Sequence, residues 1–183
     1  MPSYTPERSW ANGDVVSASD LNTYLRDNVD YVKALTDGLT FSGAKVDRAG
    51  AGSQSIPNTT DTDVTLTNEV FDNGGWWSSG ASFTVPASAV PSGFTTIAVQ
   101  VVCLIRFVTN GTGSRKLIVL KNGSEEDSFG LSAISGENTS VSLISFFTVV
   151  AGDTIKLQAY QSSGGALNMD VARLTVVRHA PVS

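Results

Sequence analysis

A single cysteine, Cys103, and a single histidine, His179, stand in a chain of 183 residues. One thiol cannot form an intrachain disulfide, and a zinc site would need further ligands around it. Cys103 lies in a β-branched run and reads as a small core hydrophobe. A Ser-His-Asp triad would depend on His179, and the chain has no Gly-x-Ser-x-Gly elbow. Charge is scarce as well: 16% of residues are charged, and the net charge is -5. Such a surface does not bind phosphate backbones, which excludes nucleic acid as a partner. No apolar run approaches the ~20 residues of a membrane span, so membrane insertion is not expected. Residues 1–10 carry no apolar secretory core, so synthesis in a cytoplasm is expected. Gly50 and Gly52 are not followed by the Lys-Ser/Thr of a phosphate loop. Asp61 and Asp63 could share a strand face and bind calcium weakly, but turn polarity explains them equally well. Glu125, Glu126 and Asp127 read as a solvated rim. No catalytic, cofactor-binding or metal-ligating residue is assigned, and a non-enzymatic role is expected.

What is present begins with a helix. Ser17 and Asp20 form a capping-box-like pair just ahead of an apolar pattern, which predicts a helix over about 18–37 that stops near Gly38. Ala18, Leu21, Leu25, Asn28, Val32 and Leu35 recur at steps of three and four, the spacing of a coiled-coil seam. Two arrangements compete: packing on the chain's own β region, or a short bundle between identical chains. The second suits Asn28, because symmetry-related Asn side chains can pair and set register. The trimer seam is accordingly assigned to Ala18, Leu25, Asn28, Val32 and Leu35. Ahead of the helix, Trp10 precedes the turn Asn12-Gly13-Asp14. Its indole either covers the helix start or anchors in a partner surface. Trp10, Val15, Val16 and Leu21 are the expected docking residues.

From about Ser53 onward the signals are strands and turns. In 94–107, Ile97, Val99, Val101, Cys103, Ile105 and Phe107 share one face, and Ala98, Val102 and Leu104 lie on the other. A strand apolar on both faces is central and covered twice. Asn122-Gly123 marks a hairpin, and 154–160 alternates cleanly. Phe146 and Phe147 point to opposite faces of another strand. Four Asn-x-Ser/Thr sites, at Asn58, Asn110, Asn122 and Asn138, read as turns. Eight or nine strands with no helical pattern between them predict a sandwich or jelly roll. The expected division is an arm and helix (1–38), a Gly/Ser-rich linker (39–52) and a β head (53–183). Trp76 and Trp77 are adjacent, so one can be core while the other serves as a surface ligand platform or intersubunit contact.

Several motifs occur in order: 70–77 (Val-Phe-Asp-Asn-Gly-Gly-Trp-Trp), Phe83-Thr84-Val85-Pro86, Gly93-Phe94, Lys121-Asn122-Gly123 and 151–157 (Ala-Gly-Asp-Thr-Ile-Lys-Leu). Together they resemble the tumour-necrosis-factor and complement globular-head superfamily over roughly 53–179. The resemblance implies a mainly β fold, a jelly-roll sandwich preceded by one N-terminal α-helix, that trimerises through one apolar sheet face. The chain departs from that pattern in lacking a collagen stalk and a distinctive acidic cluster for calcium, and in adding Pro91-Ser92 before Gly93. Separately, Trp10-x-x-Gly13-Asp14-Val15-Val16-Ser17-Ala18-x-Asp20-Leu21-Asn22 with Leu25-Arg26-Asp27-Asn28 is similar to the opening of many small bacteriophage structural proteins.

These resemblances imply a homotrimeric virion structural protein, made in the host bacterial cytoplasm. Its N-terminal arm would dock on other virion proteins and its head would project outward. A minor tail or fibre protein touching the host surface, with a cell-surface glycan as a further partner, is one form. A capsid decoration protein on the major capsid protein at three-fold positions is another. A carbohydrate-binding module remains a second class, because fold alone does not decide function.

Overall fold

The computed structural model describes residues 12, 13, 15, 17–39, 41–48 and 52–182. Ser17 opens a continuous helical segment. Its hydroxyl accepts from the Asp20 N–H, and the Asp20 carboxylate accepts from the Ser17 N–H and hydroxyl, so the capping box forms in full. Helix α1 (Ala18–Leu21) passes through a π-helical turn (Asn22–Arg26) into α2 (Asp27–Leu39). The helix ends at Leu39, beside Gly38 as expected. One expectation changes: the wider π turn shifts the phase of everything before it relative to everything after it. The six-residue stripe is therefore not one straight seam.

Eleven strands follow: β1 (Gly43–Asp47), β2 (Gln54–Ile56), β3 (Thr62–Asp63), β4 (Asn68–Asn73), β5 (Ser82–Thr84), β6 (Thr96–Phe107), β7 (Ser114–Lys121), β8 (Ser124–Ser132), β9 (Thr139–Val149), β10 (Thr154–Gln161) and β11 (Leu167–Val182). They make two antiparallel sheets. The larger runs β4-β1-β11-β6-β9 with β2 beside β11; the smaller runs β3-β10-β7-β8 with β5 beside β10. Gly43–Asp47, expected within the linker, is instead β1, inside the larger sheet between β4 and β11. Only Ala44 and Val46 bring apolar side chains inward, too short an alternation to stand out in a Gly/Ser-rich stretch. The shorter β2, β3 and β5 carry the strand number past the expected eight or nine.

The core lies between the sheets. Ile97, Val99, Val101, Cys103, Ile105 and Phe107 are all buried, as the alternation predicts, and face Leu117, Val119, Ile155, Leu157 and Ala159 from the smaller sheet. Asn122 (φ 52°) and Gly123 (φ 82°) turn the β7–β8 hairpin, a two-residue loop with both positions left-handed. The sequon asparagines close turns: Asn58 Oδ1 accepts from the Gly164 N–H, Asn110 Oδ1 from Thr112, Asn122 Oδ1 from Thr154, and Asn138 Oδ1 accepts from the Thr109 hydroxyl.

At Gly43 the neighbouring strand comes too close for any side chain: a Cβ there would lie 2.4 Å from the Val176 carbonyl oxygen. Gly43→Ala is expected to push β1 off β11 and lower head stability by about 1–3 kcal/mol. The urea midpoint measures this, and an unchanged midpoint would contradict it.

Candidate assembly surfaces

The outer face of the larger sheet is where sequence and structure diverge most usefully. Strand β6 is central, flanked by β11 and β9. Nothing in the described chain layers over its outward residues: Val102 is exposed, and Ala98 and Leu104 are half-buried. The expectation that both faces are covered holds for one face within a single chain. Strand register sets the open face out in rows. One row runs Phe71, Lys45, Thr175, Val102, Ile144; the next, towards the helix end, runs Asn73, Gly43, Val177, Gln100, Phe146. Phe146 is 62% exposed and Ile144 58%. At the opposite margin the exposed rings of Phe41 and Phe71 touch, their centroids 5.8 Å apart. His179 also faces outward, its ring edge-on to Phe146 at 5.5 Å and its Nε2 3.3 Å from Gln100 Oε1.

A second apolar surface lies at the open edge of the sandwich between β8 and β9. Phe129 is exposed there, and Leu131, Leu143 and Phe147 are half-buried against the core. Phe146 and Phe147 thus take opposite sides of β9, as the sequence predicts. One unlike pair of surfaces, a face and an edge, exists on every copy.

A third surface is helical. Leu25, Val29 and Val32 are each more than half exposed and follow a four-then-three spacing, with Asn28 half-buried beside them. Sequence reasoning missed Val29, because the seam was extended through Leu21 as if no π turn intervened. Ala18 and Val15 are exposed. Trp10 and Val16 lie outside the described residues, as do the side chains of Leu21 and Leu35.

The tryptophan pair resolves asymmetrically. Asp72 gathers the loop: its Oδ1 accepts from the Gly75 and Trp76 N–H groups and its Oδ2 from that of Trp77. Gly74 and Gly75 take left-handed φ values of 120° and 76°. Trp76 is consequently driven into the core, with Nε1 donating to the buried Ser42 hydroxyl at 2.9 Å. Trp76 is therefore corrected from a surface contact to a core residue. Trp77 is half-buried and donates from Nε1 to the Gly80 carbonyl.

Cys103 is buried and its thiol is pushed up to about 12, by burial first and by the Asp127 charge second. Asp63 is held by Lys156 Nζ and Gln158 Nε2. Among the described residues no group of three His, Cys, Asp or Glu could hold a metal ion, and no helix is long and apolar enough to cross a membrane.

At the end of the sandwich away from the helix, Arg115 is fully buried and, among the described residues, has no acidic partner. Its guanidinium donates to the carbonyl oxygens of Asn110, Thr112 and Ser114 at 2.8–3.0 Å and stacks over Phe107. Burial pulls the Arg115 pKa down. Next to it Gln161 donates to the carbonyls of Ile56 and Gly165. Two buried polar side chains thus pin the loops of that end.

The architecture is that of a jelly-roll head of the tumour-necrosis-factor and complement type. Murine APRIL superposes with a TM-score of 0.56 at 15% identity, over 76% of this chain and all (100%) of that one. PRD1 vertex protein P5 gives 0.53 at 21% identity, over 75% of this chain and 96% of its own. The globular domain of zebrafish complement 1qA gives 0.52 at 12% identity, over 76% and 96%. No family model and no curated protein sequence matches the chain.

Proposed function

We propose that the chain is a non-enzymatic virion structural protein that works as a homotrimer, anchored by its N-terminal arm and helix with the β head projecting. The observation that carries this reading is the open outer face of the larger sheet. A central strand apolar on both sides, with exposed Val102, Ile144 and Phe146 in adjoining rows, calls for a cover that the described residues of one copy do not supply. Because the surfaces available are an unlike face and edge, identical copies meet heterologously, a contact that forms a ring where its rotation closes; three is the number the family resemblance implies. The stripe Leu25, Val29, Val32 and the neighbouring Asn28 then run beside their symmetry mates as a short helical seam, with Leu35 continuing it.

A minor tail or fibre role follows from the N-terminal phage-like segment. A capsid decoration role is the second reading, favoured by the likeness to a protein described as a vertex protein. The carbohydrate-binding alternative loses its best platform, because Trp76 is buried and Trp77 is half-buried and hydrogen-bonded.

Light scattering on the full chain tests the assembly: three chains per particle are expected, and a monodisperse monomer at micromolar concentration would refute it. Deleting residues 1–39 is expected to leave a folded head that no longer enters particles, so normal incorporation would refute the docking role of Trp10, Val15, Val16 and Leu21. Density maps of labelled particles separate tail from shell.

A further inference from the structure

The outer face of the larger sheet is not uniformly apolar. Lys45 and Arg173 project from it in adjacent rows, Lys45 beside Thr175 and Val102, Arg173 beside Asp47 and Leu104. Among the described residues neither makes an ion pair. Arg106 of that face is bidentate on Asp170, and the Asp47 carboxylate, beside Arg173, accepts from the neutral Asn68 Nδ2 amide. Covering the face with apolar side chains alone would dehydrate Lys45 and Arg173 with Asp47 as their neighbouring acid, a net positive contact that is costly unless further anions meet it.

The open edge carries such anions. The β7–β8 ladder bulges between Val119 and Leu120, where Glu126 is the extra, exposed residue. Glu125 is held by Lys116, but Glu126 makes no ion pair among the described residues. Asp127 pairs across the ladder with the core residue Val119, so its side chain lies on the inward side of the edge strand; Arg115 of β7 lies over Phe107 of β6, and four residues along each strand from that contact put Val119 at the height of Cys103. Cys103 stands between Val102, the level of Lys45, and Leu104, the level of Arg173. Rotation about an axis running along the strands leaves every group at its own height. When the β8–β9 edge of one copy lies on the open face of the next, the acids and the cations therefore arrive at the same level.

We propose that Glu126 and Asp127 of one copy pair with Lys45 and Arg173 of the next. The contact between copies is then apolar in the rows of Val177, Phe146, Val102 and Ile144 and ionic at its margin, and the charges fix which edge meets which face. The inference rests on the trimeric reading above, and it adds the residues that give the contact its register and direction.

The test is a charge swap read by analytical ultracentrifugation of the full chain. Lys45→Glu with Arg173→Glu, and separately Glu126→Lys with Asp127→Lys, are each expected to weaken association roughly a hundredfold, as like-charge juxtaposition does. Combining all four is expected to restore association to within about tenfold of the wild type, since the pairs are re-formed with signs exchanged. Circular dichroism checks that each variant keeps its strands, and Lys45→Gln with Arg173→Gln supplies a milder pair should the reversals misfold. Equal trimer strength in every folded variant, or a fourfold variant as weak as the doubles, overturns the pairing while leaving the trimer standing. A monomeric wild type overturns the trimer, and the pairing with it.

Discussion

Replacing Phe146 with glutamate is expected to turn the proposed trimer into folded monomers. Phe146 stands 62% exposed on the outer face, in the row of Val177 and Gln100, and its removal opens no core cavity. In the assembled ring each copy would lose the burial of an aromatic side chain, about 1.5–3 kcal/mol. Each would also place a carboxylate in a dry contact, which costs several kcal/mol more. Over three contacts this exceeds what an interface of ordinary size can absorb. Light scattering should report one chain per particle with an unchanged thermal midpoint of the head's own β signal at low concentration. A trimer that persists would show that the open face is not the contact. Ser79→Glu, exposed in the loop that leads to β5 of the smaller sheet, serves as a control for added charge alone.

The second large effect is expected at Arg115. Arg115→Met keeps most of the volume but removes the guanidinium that lies over Phe107 and donates to the carbonyls of Asn110, Thr112 and Ser114, of which Ser114 retains the Ser162 N–H as a donor. Those oxygens belong to the main chain and cannot be replaced by apolar groups, so the usual escape of exchanging a buried polar pair for hydrophobes is closed. Losing them is expected to cost about 3–5 kcal/mol and to loosen the loops around 110–114. Chemical denaturation measures the loss. Arg106→Met makes the contrast: its partner is Asp170, the pair is partly exposed and screened by solvent, and a much smaller loss than at Arg115 is expected. Equal effects at the two arginines would show that Arg115 does not hold its loops in this way.

The elements legible in the sequence were those with a strong local period or a fixed turn chemistry. The alternation of Ile97 to Phe107, the Asn122-Gly123 turn and the Ser17–Asp20 cap each form as expected. β1 escaped because five residues with two inward apolar side chains carry too little pattern. The π turn escaped because no residue type specifies it; its effect shows only in which side chains end up together, Val29 joining Leu25 and Val32. The candidate surfaces were half legible. Two-sided apolarity in β6 pointed to a second cover, but whether helix, sheet or another copy supplies it depends on strand order. The ionic residues Lys45 and Arg173 gain meaning only through cross-strand register with Val102 and Leu104. The tryptophan loop shows the reverse: its motif was visible, yet Asp72 and the left-handed glycines decided which indole went inside.

The strand order of the larger sheet also governs when the head can exist. β11 lies between β1 and β6, and those two strands are joined through nothing else in that sheet. Until residues 167–182 are in place, the sheet is two unconnected fragments, one carrying Phe41 and Phe71 and the other Val102, Ile144 and Phe146. Pairings over such sequence separation form slowly. A nascent chain therefore reaches residue 160 without a completed docking face, and the apolar rows come together as one surface only with the last strand. In the proposed trimer, arrival of β11 would therefore make association of copies follow completion of the larger sheet.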